Sequence, residues 1–303
     1  MKKKAIIEIG TNSIKLVVFA SVNGECEILD ERSDNARLGE DQSLNNTISE
    51  EAMLRNLNAL SEFKKIAENE SVENILVVGT MSLRSAKNSD TFLKKVAEKL
   101  GINIEIISGE EEAKLSFLAV KSSLKISQKE MIVFDIGGGS TEIIFGSNAK
   151  INDNFSLNLG AVHLTENFLK SDPVTNVETD KMMEYLAEKF SKKIPHKSAG
   201  ILVGVGGAVS NVSAVYQQMK FYNSSVIQNS KLTLNEVEKQ FKLFAKMSIE
   251  ERKNIIGLQS KRADIILAGI GLIITIMRHF KQDELTVCNS GLRHGLIIDK
   301  FLK

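Results

Sequence analysis

The feature that most constrains this chain is a pattern that it uses twice. Ala5–Ile9 is a short apolar strand, Gly10-Thr11-Asn12-Ser13 is a polar turn, and Ile14–Ala20 is apolar enough for a second strand. About 127 positions later the order returns: Met131–Phe134, then Asp135-Ile136-Gly137-Gly138-Gly139-Ser140, then Thr141–Phe145. Each unit reads strand, acid-x-Gly turn, strand, the acid being Glu8 in the first and Asp135 in the second. Self-similarity at this distance predicts two related domains, each opening with a hairpin. A length of 303 residues leaves room for both. The boundary is expected near Ser122–Gln128, giving domains 1–124 and 125–291, with a closing helix over 292–303.

Between the hairpins, Ser49-Glu50-Glu51 starts a helix whose apolar stripe is Met53, Leu57, Leu60 and Ala67. Ile75–Val78 reads as a buried strand ending in Gly79-Thr80, Thr91–Leu100 as a helix and Ile102–Ile107 as a strand. The second half adds a strand at Gly200–Val203, the turn Gly204-Val205-Gly206-Gly207, a helix from Ala208, and a strand at Leu285–Cys288. Strands alternating with helices predict an α/β fold with a mostly parallel or mixed sheet covered on both faces.

The bulk numbers exclude several classes. The net charge of +1 gives no overall field that would draw the chain to nucleic acid or membrane. Lys2-Lys3-Lys4 resembles the start of a signal peptide, but Glu8 and the polar turn interrupt the apolar stretch behind it. The longest apolar run, Ile265–Met277, is too short to span a bilayer and predicts a buried helix. Cys26 and Cys288 have no metal-ligand spacing and suit a reducing compartment. A cytoplasmic protein is expected. His163, His196, His279 and His294 are scattered without ligand spacing and offer no rival site.

Phosphate oxygens need several N–H donors at close range, and glycine lets successive N–H groups converge on one anion. The turn Asp135–Ser140 has that character. It is not a dinucleotide fingerprint, because strand and not helix follows it, and no Gly-Lys-Ser/Thr marks a Walker loop. A lone glycine run is more often a plain turn. Two such turns, each with an acid at the strand end, and a third at Gly204–Gly207 favour phosphate binding. A phosphate chain held there needs Mg²⁺ to offset its charge, and Mg²⁺ is held by one or two carboxylates with waters. Asp135, Glu142 and Glu8 are the candidates; the alternative for Glu8 and Glu142 is a solvated hairpin face.

Ser108-Gly109-Glu110-Glu111 fits a helix-capping box, with Glu111 at the third helical position. Glu110 stands four residues before Lys114 and can pair with it on the surface. Glu112 shares a stripe with Leu115, Leu118 and Ala119 and so leans inward. It is either a general base or a buried, hydrogen-bonded glutamate.

Several stretches, in order over nearly the whole chain, resemble the exopolyphosphatase and guanosine-pentaphosphate phosphohydrolase family, Ppx/GppA. They are Ile9–Ser13, Gly79-Thr80 through Leu83-Arg84-Ser85-Ala86, Ile107–Ala113, Asp135–Glu142, Leu159-Gly160-Ala161-Val162, Gly204–Gly207, Arg262–Ile266 and Ser290-Gly291-Leu292-Arg293. The resemblance implies two ribonuclease-H-like domains of the actin/hexokinase/Hsp70 superfold with an interdomain active-site cleft. It implies that Glu112 activates water, that Asp135, Glu142 and Glu8 stand on the metal side, and that the cation is Mg²⁺ or Mn²⁺. It implies a phosphate-binding set of Thr11, Asn12, Ser13, Arg84, Gly137, Gly138, Gly139, Ser140, Gly206 and Gly207. The expected activity is hydrolysis of the terminal phosphate of inorganic polyphosphate or guanosine pentaphosphate, with homodimerisation common in the family. Two departures stand out: Glu8 replaces the usual aspartate, and the chain ends without the C-terminal helical domain of long members. A sugar- or acetate-type kinase of the same superfold is a rival reading. A non-catalytic sensor of guanosine tetraphosphate or polyphosphate is another.

Overall fold

The computed structural model describes residues 2–22, 25–124, 130–147, 150–196 and 200–302. The expected boundary segment lies partly outside these, at 125–129. The chain divides into two compact units, Met1–Leu115 with Leu292–Lys303, and Ser116–Gly291.

The first unit opens with β1 (Lys3–Ile9), β2 (Ile14–Val22) and β3 (Glu25–Asp34). It continues through α1 (Gln42–Asn45), α2 (Glu50–Asn69), β4 (Asn74–Gly79), α3 (Met81–Ser85), α4 (Ser89–Leu100) and β5 (Ile104–Ile106). The helix α5 (Gly109–Leu124) runs through the division between the units. The sheet order is β3-β2-β1-β4-β5. β1 is antiparallel to β2 and parallel to β4.

The second unit contains β6 (Met131–Ile136), β7 (Thr141–Gly146), β8 (Ile151–Leu157), α6 (Ala161–Phe168), α7 (Asn176–Lys193) and β9 (Ile201–Val205). It goes on with α8 (Gly207–Tyr216), α9 (Ser224–Ile227), β10 (Lys231–Thr233), α10 (Leu234–Ala245), α11 (Ile249–Arg252), α12 (Ile266–His279) and β11 (Glu284–Val287). The last helix, α13 (Leu292–Phe301), belongs to the first unit. The second sheet has the order β10-β11-β9-β6-β7-β8. Leaving out the edge strand β10, its connectivity repeats that of the first, so the repeat extends from the hairpin to the whole sheet.

Strand alternation explains how both faces are covered. On β1, Ala5, Ile7 and Ile9 pack with Met53, Leu60 and Phe63 of α2 and Phe92 and Val96 of α4. Ile6, on the opposite face, packs with Val17, Phe19, Leu115 and the α13 residues Leu292, Leu296 and Ile297. On β6, Ile132, Phe134 and Ile136 face the core built on α7, α8 and α12. Ile266–Met277 of α12 are all buried, as the apolar run predicts for an internal helix. Among the described residues no helix is long and apolar enough to cross a membrane.

Candidate active site

The two hairpin turns close in the same way. Gly10 N–H donates to the Ser13 carbonyl at 2.9 Å, and Gly137 N–H to the Ser140 carbonyl at 2.9 Å. What lies behind each turn decides where its other amides face. In the first, the carbonyls of Thr11 and Asn12 accept from the N–H groups of Gly39 (3.0 Å) and Arg37 (3.1 Å). In the second, the Gly137 carbonyl accepts from Ala161 N–H at 3.1 Å, and that of Gly138 from Val162 at 2.9 Å and His163 at 3.3 Å. A trans peptide points its C=O and the following N–H in opposite directions. Carbonyls drawn backwards therefore turn the amides of Asn12 and Ser13, and of Gly138 and Gly139, forwards as pairs of donors. This is the backbone arrangement that binds anions.

Two glycines outside the turns make this packing possible. A Cβ on Gly160 would stand 2.3 Å from the carbonyl carbon of Gly138, and one on Gly39 would stand 2.4 Å from Thr11 Cγ2. Gly206 has φ 104, the left-handed region that favours glycine, and a Cβ there would meet the Ile136 carbonyl at 2.4 Å. The third turn is thereby laid against the second. Gly207 lies under the Arg262 guanidinium, and a Cβ there would stand 2.3 Å from Cζ, so the guanidinium keeps this place only beside a glycine. Thr11 is fixed too: its hydroxyl oxygen accepts from Ser82 Oγ at 2.8 Å. Asn12 is buried, and within the described residues its amide nitrogen and oxygen have no hydrogen-bond partner. A buried amide without a partner is costly, and a ligand's polar groups would satisfy it.

The acids differ sharply between the hairpins. Asp135 and Glu142 are directly opposite on the β6–β7 ladder, so both side chains stand on one sheet face. Ser116 Oγ donates to Asp135 Oδ2 at 2.8 Å, and Ser156 Oγ to Glu142 Oε1 at 2.9 Å. Glu142 is only 1% exposed, so it is not a solvated hairpin face. Like charges directly opposite on a ladder destabilise it, a cost that a bound divalent cation would remove. Gly206 and Gly291 flank the Asp135 carboxylate, where a Cβ would stand 3.1 Å from Oδ1 and 3.7 Å from Oδ2. Among the described residues no group of three His, Cys, Asp or Glu side chains forms a complete cage. Mg²⁺ does not need one, since it keeps waters and takes one or two carboxylates.

Glu8 occupies the place of Asp135 in the first hairpin, but its opposite residue is Lys15. Its carboxylate lies 3.4 Å from Lys15 Nζ and 3.5 Å from Arg293 Nε, and its side chain is 12% exposed. Arg293 also donates to the Leu16 carbonyl at 3.1 Å and pairs with Glu31 at 3.5 Å. Glu8 thus serves as counter-charge to two cations, a poor arrangement for a metal ligand. The closing helix brings the second of these cations, and nothing in the spacing around Glu8 announced it.

Glu112 sits in the first turn of α5, where Ser108 caps the helix by accepting from Glu111 N–H at 3.1 Å. Glu110 pairs with Lys114 at 2.9 Å, as the spacing predicts. Glu112 Oε2 lies 3.3 Å from Arg84 Nη1, which also donates to the Ile107 carbonyl at 2.8 Å. The inward carboxylate therefore has a fixed cationic neighbour from α3. Sequence reasoning missed Ser116, Ser156, Gly39 and Gly160. Gly160 lies inside a matched motif, but its role comes from tertiary contact.

Residues 17–303 match the model of the Ppx/GppA phosphatase family. The chain is 33% identical over 98% of its length to a bifunctional 3-dehydroquinate synthase/phosphatase of Fusobacterium nucleatum, and spans 46% of that protein. It is 30% identical over 96% of its length to a guanosine-5'-triphosphate,3'-diphosphate pyrophosphatase of Aliivibrio fischeri, and spans 58% of it. The chain thus spans about half the length of these curated relatives. An exopolyphosphatase 2 of Mycobacterium tuberculosis is 27% identical, with 98% of each chain covered. The solved Aquifex aeolicus member of the family superposes with a TM-score of 0.83 at 33% identity, covering 99% of this chain and 98% of that one. The fold is accordingly the two-domain, actin-like α/β fold, and the chain belongs to the Ppx/GppA phosphatase family.

Proposed function

We propose that this protein hydrolyses the terminal phosphate of inorganic polyphosphate or guanosine pentaphosphate. The observation that carries the reading is the duplicated turn: each unit presents a forward-facing pair of amides whose carbonyls are tied back. The relatives are named for those two activities. In this reading each turn is a phosphate-holding loop of its own unit: the amides of Asn12 and Ser13 with the hydroxyls of Thr11 and Ser13 in the first, and the amides of Gly138 and Gly139 with the Ser140 hydroxyl in the second. Because Ser82 donates to Thr11 Oγ1, the Thr11 hydroxyl hydrogen is directed to another acceptor. Asp135 and Glu142 would hold Mg²⁺, which when bound offsets charge on the phosphate oxygens. Glu112 accepts a hydrogen bond from the attacking water and takes its proton as the P–O bond forms. Arg84 fixes the Glu112 carboxylate through Oε2. The shortened phosphate chain leaves in line with the attack.

The test is phosphate release from polyphosphates of several lengths and from guanosine pentaphosphate, with Mg²⁺. The wild type should release phosphate. Glu112→Gln should lose about a hundredfold or more while folding and binding ligand normally. Unchanged turnover in Glu112→Gln would remove its role. Tight binding without release by the wild type would overturn the enzyme reading in favour of a sensor.

A further inference from the structure

We infer that Ser116, with Ser156, is a positioning residue for the metal-side carboxylates, and that its hydroxyl sets the affinity of the site for a divalent cation. The inference rests on the reading of Asp135 and Glu142 as metal-side groups and names what tunes them.

A serine inside a helix ordinarily turns its hydroxyl to the carbonyl one turn back. Ser116 instead reaches out of α5 and donates to Asp135 Oδ2 on β6, from a fully buried position. Asp135 stands on the same face of β6 as Val133, opposite the apolar face of Ile132, Phe134 and Ile136. Its carboxylate is contacted from α5. The bond is charge-assisted, and an ionised carboxylate can still accept at its remaining lone pairs. One oxygen is tied to a buried hydroxyl, and Oδ1 lies beside Gly206, where even a Cβ would crowd it.

The partner acid is treated alike. Glu142 faces Ser156 across the β7–β8 ladder, and Ser156 Oγ donates to Oε1. Two carboxylates opposite each other on β6 and β7 are thus each held by one serine from a third element. Hydrogen bonds behind metal-binding carboxylates orient them, and their loss typically weakens metal binding by about 10-fold to 100-fold. The first hairpin offers an internal contrast. There the equivalent acid, Glu8, is ion-paired with Lys15 and Arg293.

The experiment is Mn²⁺ titration of the metal-stripped full chain, followed by electron paramagnetic resonance or calorimetry. It is paired with the Mg²⁺ concentration needed for half-maximal phosphate release. Ser116→Ala should bind Mn²⁺ about 10-fold to 100-fold more weakly and need correspondingly more Mg²⁺. Release at saturating Mg²⁺ should stay within about twofold of wild type, because the substrate-binding groups are untouched. Alanine is a good helix former, so α5 should persist. Ser156→Ala should shift the same way, and Ser156→Thr, which keeps a hydroxyl, should restore affinity. If Asp135→Asn weakens Mn²⁺ binding and Ser116→Ala does not, the inference falls and the metal reading stands. A lower Tm in Ser116→Ala with unchanged Mn²⁺ affinity would also overturn it, leaving a structural hydroxyl. If neither Asp135→Asn nor Glu142→Gln alters Mn²⁺ binding, the metal reading fails and this inference fails with it.

Discussion

At the scale of single residues, the difference between Glu8 and Asp135 is the most informative. Both are acids at the end of a hairpin strand, two residues before a glycine. Their surroundings give them different work. Asp135 meets a second acid and a hydroxyl, whereas Glu8 meets Lys15 and Arg293. The side chains of Glu8, Arg293 and Lys15 are 12%, 16% and 27% exposed, so removing the acid takes the ion-pair partner from Lys15 and leaves Arg293 with Glu31 alone. Glu8→Gln should therefore cost about 1–3 kcal/mol of stability, measured by denaturant unfolding, and leave Mn²⁺ affinity unchanged. A variant of wild-type stability that loses Mn²⁺ would return Glu8 to the metal. Sequence spacing listed both acids equally. It could not separate them, because Arg293 reaches Glu8 from the far end of the chain.

At the scale of elements, the hairpin and its brace act together. Turn 137–140 is held from behind by the start of α6, and that helix can approach because position 160 carries no side chain. Gly160→Ala would push a Cβ into backbone atoms of Gly138 and Gly139, which cannot swing aside as a side chain would. The expected outcome is a loss of about 1–3 kcal/mol and at least about tenfold in phosphate release, followed by Tm and turnover together. Gly39→Ala should err in the same direction but less, since it meets the ends of the Thr11 and Ser82 side chains. The central strands β1, β2, β6 and β7 were legible because both of their faces are buried and their residues are almost continuously apolar. β3 and β8 were not: Glu25–Asp34 and Ile151–Leu157 are charged or polar edge strands, with little apolar run to mark them.

At the scale of the whole molecule, burial sets how the protein responds to pH. His163, His279 and His294 are each held below the ordinary imidazole value, in every case first by burial. For His279 the stacked His196 ring adds to this, and for His294 so does Arg293. A group whose folded value is depressed binds fewer protons folded than unfolded, so stability rises with pH through the window below about 6.5. Tm should fall as pH drops from 7.5 to 5.5, and His279→Gln, which does not titrate, should flatten part of that slope. The repeat, the strand core, the helix starts and the glycine turns followed from sequence alone, because hydrophobic period, capping chemistry and glycine's freedom are local properties. Which acid meets a cation and which meets another acid was decided only in three dimensions. So were the serine behind each carboxylate and the glycine that lets a helix reach a turn. Those contacts join residues from 14 to 285 positions apart, and charge balance and close approach depend on distance in space, which local spacing does not encode.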